Sequence, residues 1–157
     1  GIAIAKYMAR KNPMQKGDTV DKIAFGSFNK KIEEAATNFD WLSSDSQMVD
    51  KYIKDDKCGF VFTNEGYRDL FLLLKKVNTS KWAQSLPNEL PMLLISGADD
   101  PVGDYGKGVK KVYEMMVKAG CTNVQLKLLH GARHEILNEN KREKVYSILL
   151  NWFENNI

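Results

Sequence analysis

The stretch Leu90-Pro91-Met92-Leu93-Leu94-Ile95-Ser96-Gly97-Ala98-Asp99-Asp100-Pro101 decides the fold class. From Leu90 to Ser96 it is almost continuously apolar, does not alternate, and stops at a glycine. Such a run predicts a strand buried on both faces, as in a parallel sheet. Further on, Val109, Val112, Tyr113, Met116 and Val117 recur at the spacing of one helical face, and Gly120 ends that helix. Val124 to Leu129 is a second strand candidate, followed by a loop from His130 to Asn138. Val145, Ile148, Leu149, Trp152 and Phe153 then repeat the helical spacing. Strand, helix, strand, helix is an α/β order, and a parallel pair joined by a right-handed helical crossover is its usual solution.

The upstream part reads differently. Asn12-Pro13, Gly17-Asp18 and Ser27-Phe28-Asn29 break it into short helical pieces with no convincing strand. Residues 1–10 form one candidate helix. Ser44 or Asp45 can cap another, carrying Met48, Val49, Tyr52 and Ile53 on one face. Asn64 opens a third through Leu70, Phe71, Leu74 and Val77. The chain therefore divides into a mostly helical segment, residues 1–85, and an α/β segment, residues 86–157.

Composition narrows the function class. Of 157 residues, 43% are hydrophobic, too many for a disordered chain. The net charge of +3 arises from 23 basic and 20 acidic side chains that are interleaved, which argues against a nucleic-acid partner. No run approaches the roughly 20 apolar residues that a membrane span requires. Cys58 and Cys121 are far apart, with no Cys-x-x-Cys spacing, and read as structural thiols of a reducing, cytoplasmic compartment. With only His130 and His134 as imidazoles, neither a metal site nor a cofactor is expected.

In open α/β sheets, reactive groups gather beyond the carboxyl ends of the strands. The first strand ends in Gly97-Ala98-Asp99-Asp100-Pro101, and the second in His130-Gly131-Ala132-Arg133-His134-Glu135. If the strands are parallel neighbours, Asp100 and His134 share one edge. A carboxylate beside an imidazole is the orienting half of a nucleophilic triad. Asp-Asp-Pro after a strand is also ordinary turn chemistry, and a loop histidine is also an ordinary solvated or capping residue. Asp99 is a weaker candidate, either a solvated turn residue or a partner for Arg133. The glycines at 103, 106 and 108, with Lys107, match neither phosphate-binding fingerprint and read as loop and helix start.

These phrases resemble the C-terminal end of an α/β-hydrolase. More closely, Asp100-Pro101-Val102-Gly103, Gly106-Lys107-Gly108-Val109 and Arg133-His134-Glu135-Ile136-Leu137-Asn138-Glu139 resemble the monoacylglycerol lipase and lysophospholipase-like serine hydrolases, also called serine-aminopeptidase-like. The stretch around Phe39, Trp41-Leu42-Ser43, Asp50 and Phe60 to Thr63 is similar to the helical cap of that family. The resemblance implies that Asp100 is the triad acid and His134 the base, with residues 1–85 as cap or lid. It also implies a small lipid-like ester as substrate. Phe39, Trp41 and Phe62 are cap residues that would touch it, although packing explains each equally well. Glu135, Asn138 and Glu139 are candidates for holding the histidine loop.

The nucleophile is missing. The family carries its serine in a Gly-x-Ser-x-Gly turn upstream of the acid, and none of the glycines here begins that pattern. The expectation is a cap plus the last strands of a longer hydrolase, inactive alone and ordered in company with the missing part or as a homo-oligomer. Two alternatives stay open: a non-enzymatic α/β interaction or ligand-binding module, and a peptidase or amide hydrolase using the same triad.

Overall fold

A computed structural model describes residues 1–156. The helical segment starts with α1 (Ile2–Lys11) and α2 (Asp18–Phe25), followed by a single 3-10 turn at Phe28–Lys31. Next come α3 (Ser46–Lys54), α4 (Asn64–Val77) and the short α5 (Ser80–Ala83). Side chains start three of these helices. Asp45 accepts from the Gln47 amide of α3, Thr63 from the Gly66 amide of α4, and Thr79 from the Trp82 amide of α5. Each satisfies one of the amides that a helix start leaves without an internal partner. α1 packs against α4, and Ala5, Val20 and Tyr67 form a small buried core with Met8, Phe25, Val61, Leu70 and Phe71 around it.

The α/β segment follows the expected order: β1 (Met92–Gly97), α6 (Lys107–Lys118), β2 (Val124–Leu129) and α7 (Arg142–Asn156). A 3-10 turn at Ile136–Asn138 interrupts the loop before α7. β1 and β2 pair in parallel, in a register running from Met92 opposite Val124 to Gly97 opposite Leu129. Their carboxyl ends therefore lie side by side. Gly106 starts α6 in a left-handed conformation (φ +81°), and Gly120 follows its end at φ +104°. A Cβ on Gly106 would meet Leu128 Cδ1 at 2.6 Å, so this glycine serves turn and packing, as the loop reading expected.

Burial departs from the sequence reading in one consistent way. β1 begins at Met92, and residues 92–96 are half-buried rather than buried. Among the described residues β1 has only β2 beside it, which leaves its other edge and part of both faces open. Leu74, Val117 and Phe153, placed on apolar helix faces by spacing, are likewise exposed. Periodicity identifies the face of a helix but not whether anything covers it. No helix among the described residues is long and apolar enough to cross a membrane.

Candidate active site

The parallel register brings two loops to one edge, and Gly97 brings them into contact. A Cβ at Gly97 would lie 2.0 Å from the Arg133 carbonyl oxygen and 2.3 Å from that of Ala132, so only glycine lets the second loop cross here. The Ala98 amide donates to the Leu129 carbonyl (2.9 Å) and the Asp99 amide to the Ala132 carbonyl (3.0 Å), tying the acid loop to the histidine loop.

Asp100 and His134 meet across this seam. His134 Nδ1 is 3.1 Å from Asp100 Oδ2, while Asp100 Oδ1 accepts the Val102 amide at 2.8 Å. The Asp100 side chain is 8% exposed, whereas the His134 side chain is 38% exposed. The carboxylate is thus held inside and the ring faces outward, with Nε2 as the nitrogen not directed at Asp100. The hydrogen bond from Asp100 raises the imidazole pKa, partial burial opposes it, and the charges of Asp100 and Glu135 add to the rise. An acid that fixes Nδ1–H and favours the imidazolium leaves Nε2 for proton transfer.

The other candidates are separated by the structure. Asp99 is exposed, and Arg133 turns away from it: its Nη1 donates to the carbonyls of Asp40 (2.6 Å) and Ser43 (2.9 Å). The partnership with Asp99 is therefore corrected; backbone carbonyls of the helical segment take the guanidinium instead. Asn138 Nδ2 donates to Glu135 Oε2 (2.7 Å), bracing the loop within itself. Glu139 is buried and reaches two segments, accepting the Arg133 amide at Oε1 (2.6 Å) and the Ser44 amide at Oε2 (3.1 Å). His130 is exposed, and no group of three or more potential metal ligands occurs among the described residues.

Phe39, Trp41 and Phe62 line one cavity of about 570 Å³ in the helical segment, together with Phe25, Tyr52 and Tyr67. Trp41 connects that cavity to the dyad, its ring centroid lying 5.3 Å from that of His134. The Trp41 amide is fixed by Asn29 Oδ1 (2.9 Å), whose own amide group donates to the Thr37 carbonyl. In the cavity lining the Tyr67 hydroxyl donates to Asp21, and burial followed by that bond pushes the phenol well above its usual pKa. Three contacts had no sequence reading: the crossing at Gly97, the bonds from Arg133 to the Asp40 and Ser43 carbonyls, and the bonds of Ser43 and Ser44 to residues 138 and 139; the helix start offered to Ser44 or Asp45 falls to Asp45. The only available signal was a glycine ending a strand just before an acidic turn.

A parallel strand pair with a buried aspartate after the first strand and a histidine after the second is the C-terminal architecture of an α/β-hydrolase. The family model described as serine aminopeptidase, S33, matches residues 4–141, and the chain belongs to that family. A highly thermostable carboxyl esterase from Bacillus coagulans, solved with glycerol, superimposes with a TM-score of 0.85 at 25% identity, covering 99% of this chain and 51% of the esterase. A lipase in an open form gives 0.85 at 26% identity, covering 98% and 50%. A monoacylglycerol lipase from Paleococcus ferrophilus shares the fold, with a TM-score of 0.63 at 16% identity over 93% of this chain and 55% of that one. The chain thus spans about half the length of these solved structures. No curated protein sequence matches it significantly.

Proposed function

We propose that this chain supplies the acid, the base and the cap of a serine hydrolase that cleaves carboxylic esters, with its nucleophile outside these 157 residues. The observation that carries the reading is the 3.1 Å contact of Asp100 with His134 at the shared end of two parallel strands. His134 Nε2 would take the proton of a serine hydroxyl as its oxygen attacks the ester carbonyl, then return it to the departing alcohol. The same nitrogen would deprotonate water to release the acid. Asp100 holds the tautomer throughout and stabilises the imidazolium.

Residues 1–85 act as the cap, and residues 86–157 form the core segment. A lipid-like ester, such as a monoacylglycerol or lysophospholipid, suits the aromatic cavity, with Phe39, Trp41 and Phe62 against its apolar chain. The free thiols Cys58 and Cys121 favour a cytoplasmic setting. The open edge of β1 and the apolar recess beside it, where the Trp152 indole nitrogen is buried without a partner, favour further strands of the same protein as companion.

The test compares the 157-residue chain with the chain joined to, or mixed with, its upstream half. Both are challenged with p-nitrophenyl esters of increasing length, peptidyl p-nitroanilides and a fluorophosphonate probe. The chain alone should neither turn over nor be labelled; the completed protein should prefer esters and lose activity in His134→Ala. Labelling of a serine within the 157 residues would refute the placement of the nucleophile, and preference for the anilides would refute the ester assignment.

A further inference from the structure

We propose that Glu139 and Arg133 are positioning residues that clamp the histidine loop onto residues 40–45 of the cap, so that the cap base holds His134 against Asp100. This rests on the dyad reading above but assigns a role that reading does not need: a hydrolase histidine could be held by its own sheet alone.

The clamp has two sides, each reaching across ninety or more residues of sequence. On one side, Arg133 Nη1 bridges the carbonyls of Asp40 and Ser43. Its charge also lies near Asp40, whose carboxyl is pushed up by burial yet held below its usual pKa by the Thr37 hydroxyl and the amides of Ala36 and Thr37. On the other, the Glu139 carboxylate divides its oxygens: Oε1 takes the Arg133 amide, Oε2 the amide and hydroxyl of Ser44. Glu139 is 3% exposed, and a buried carboxylate is tolerated only when such donors replace water. Between the two sides the backbones meet directly. The Glu135 amide donates to the Leu42 carbonyl (2.7 Å) and, more weakly, the His134 amide to that of Trp41 (3.4 Å). Ser43 closes the seam, donating to the Asn138 carbonyl at 2.9 Å and accepting the Asp45 amide at 3.0 Å. His134 thus hangs between residues 133 and 135, both bound to cap backbone.

The substitution Glu139→Gln keeps the size but turns one acceptor oxygen into a donor, so one side of the clamp opens. Its readout is the NMR titration of His134 in the 157-residue chain. Asp100→Asn is measured first. It should shift the His134 midpoint downward, and if it does not, the dyad reading fails. Glu139→Gln and Arg133→Ala should then move the His134 midpoint in the same direction, with Arg133→Lys restoring part of the shift. Val20→Ala in the cap core, which costs stability without touching the seam, should leave His134 unmoved. In the completed enzyme, Glu139→Gln should lower kcat on the order of 10²-fold with KM little changed, the effect of slight misplacement of a reacting group. If Glu139→Gln does not fold, Ser44→Ala and the two Arg133 variants decide. A His134 titration that responds to Asp100→Asn but to none of the clamp variants overturns the proposal.

Discussion

Replacing Gly97 by alanine tests whether the crossing of the two loops holds the dyad. Ordinary van der Waals contact begins near 3.4 Å, whereas the new methyl would lie 2.0 Å from the Arg133 carbonyl oxygen, so that carbonyl must retreat by about 1.4 Å. Both nearest obstacles are backbone, and neither can rotate away. The Ala132 carbonyl is also bonded to the Asp99 amide, so movement of one loop drags on the other. Overpacking of this kind costs about 1–3 kcal/mol, and with rigid obstacles the upper part of that range is expected. For a chain of this size that lowers Tm by roughly 4–12 °C. Because His134 directly follows Arg133, the same displacement takes the 3.1 Å contact with Asp100 out of hydrogen-bonding range. On the function proposed above, kcat of the chain joined to its upstream half should then fall on the order of 10³- to 10⁴-fold, as when the orienting acid of a triad is lost. Circular dichroism melts and the NMR titration of His134 read the two effects separately. Gly131→Ala is the control: its methyl meets nothing within 4 Å, and only the left-handed φ of +77° is penalised, by about 1–2 kcal/mol. A Gly97→Ala protein with unchanged Tm and a native His134 titration would refute the reasoning.

Two further predictions concern stability. The hydrogen bond from Asp100 raises the His134 pKa in the folded chain, so the protonated ring stabilises the fold fully below pH 6.5 and loses that contribution as pH rises through the folded value. Melting wild type and Asp100→Asn from pH 5 to 8 should show the larger Tm gap at the acid end; a constant gap would contradict it. Thr63→Ala removes the cap of α4, whose Gly66 amide lies 3.1 Å from the hydroxyl, and should cost about 1 kcal/mol in urea titrations. Thr63→Ser should recover most of it.

Elements and chemistry were legible to different depths. The strand at Met92–Gly97, the amphipathic α6 stopped at Gly120, and the start of α3 at Asp45 follow from rules that act within a few residues. Asp100 and His134 were also legible, because two parallel strands leave their following loops at one edge whatever the remaining packing. The three aromatics proposed for substrate contact share one cavity, but spacing alone did not distinguish Phe39, Trp41 and Phe62 from ordinary packing residues. Asp99 carries two readings in the sequence, a solvated turn residue or a partner for Arg133; it is exposed, and the guanidinium instead takes carbonyls that have no side-chain signature.

The amino-acid sequence by itself determined the α/β order, the starts of α3 and α4 and the pair of strand-end residues that form the dyad, since propensity, capping and period are local properties. Tertiary structure alone decided how the dyad is held. The crossing at Gly97 depends on a loop more than thirty residues away. The seam from Arg133 and Glu139 to residues 40–45 is made largely with backbone carbonyls and amides, which every residue carries. A hydrogen bond to main chain leaves no mark on the partner's identity, and only folding brings the partner within reach.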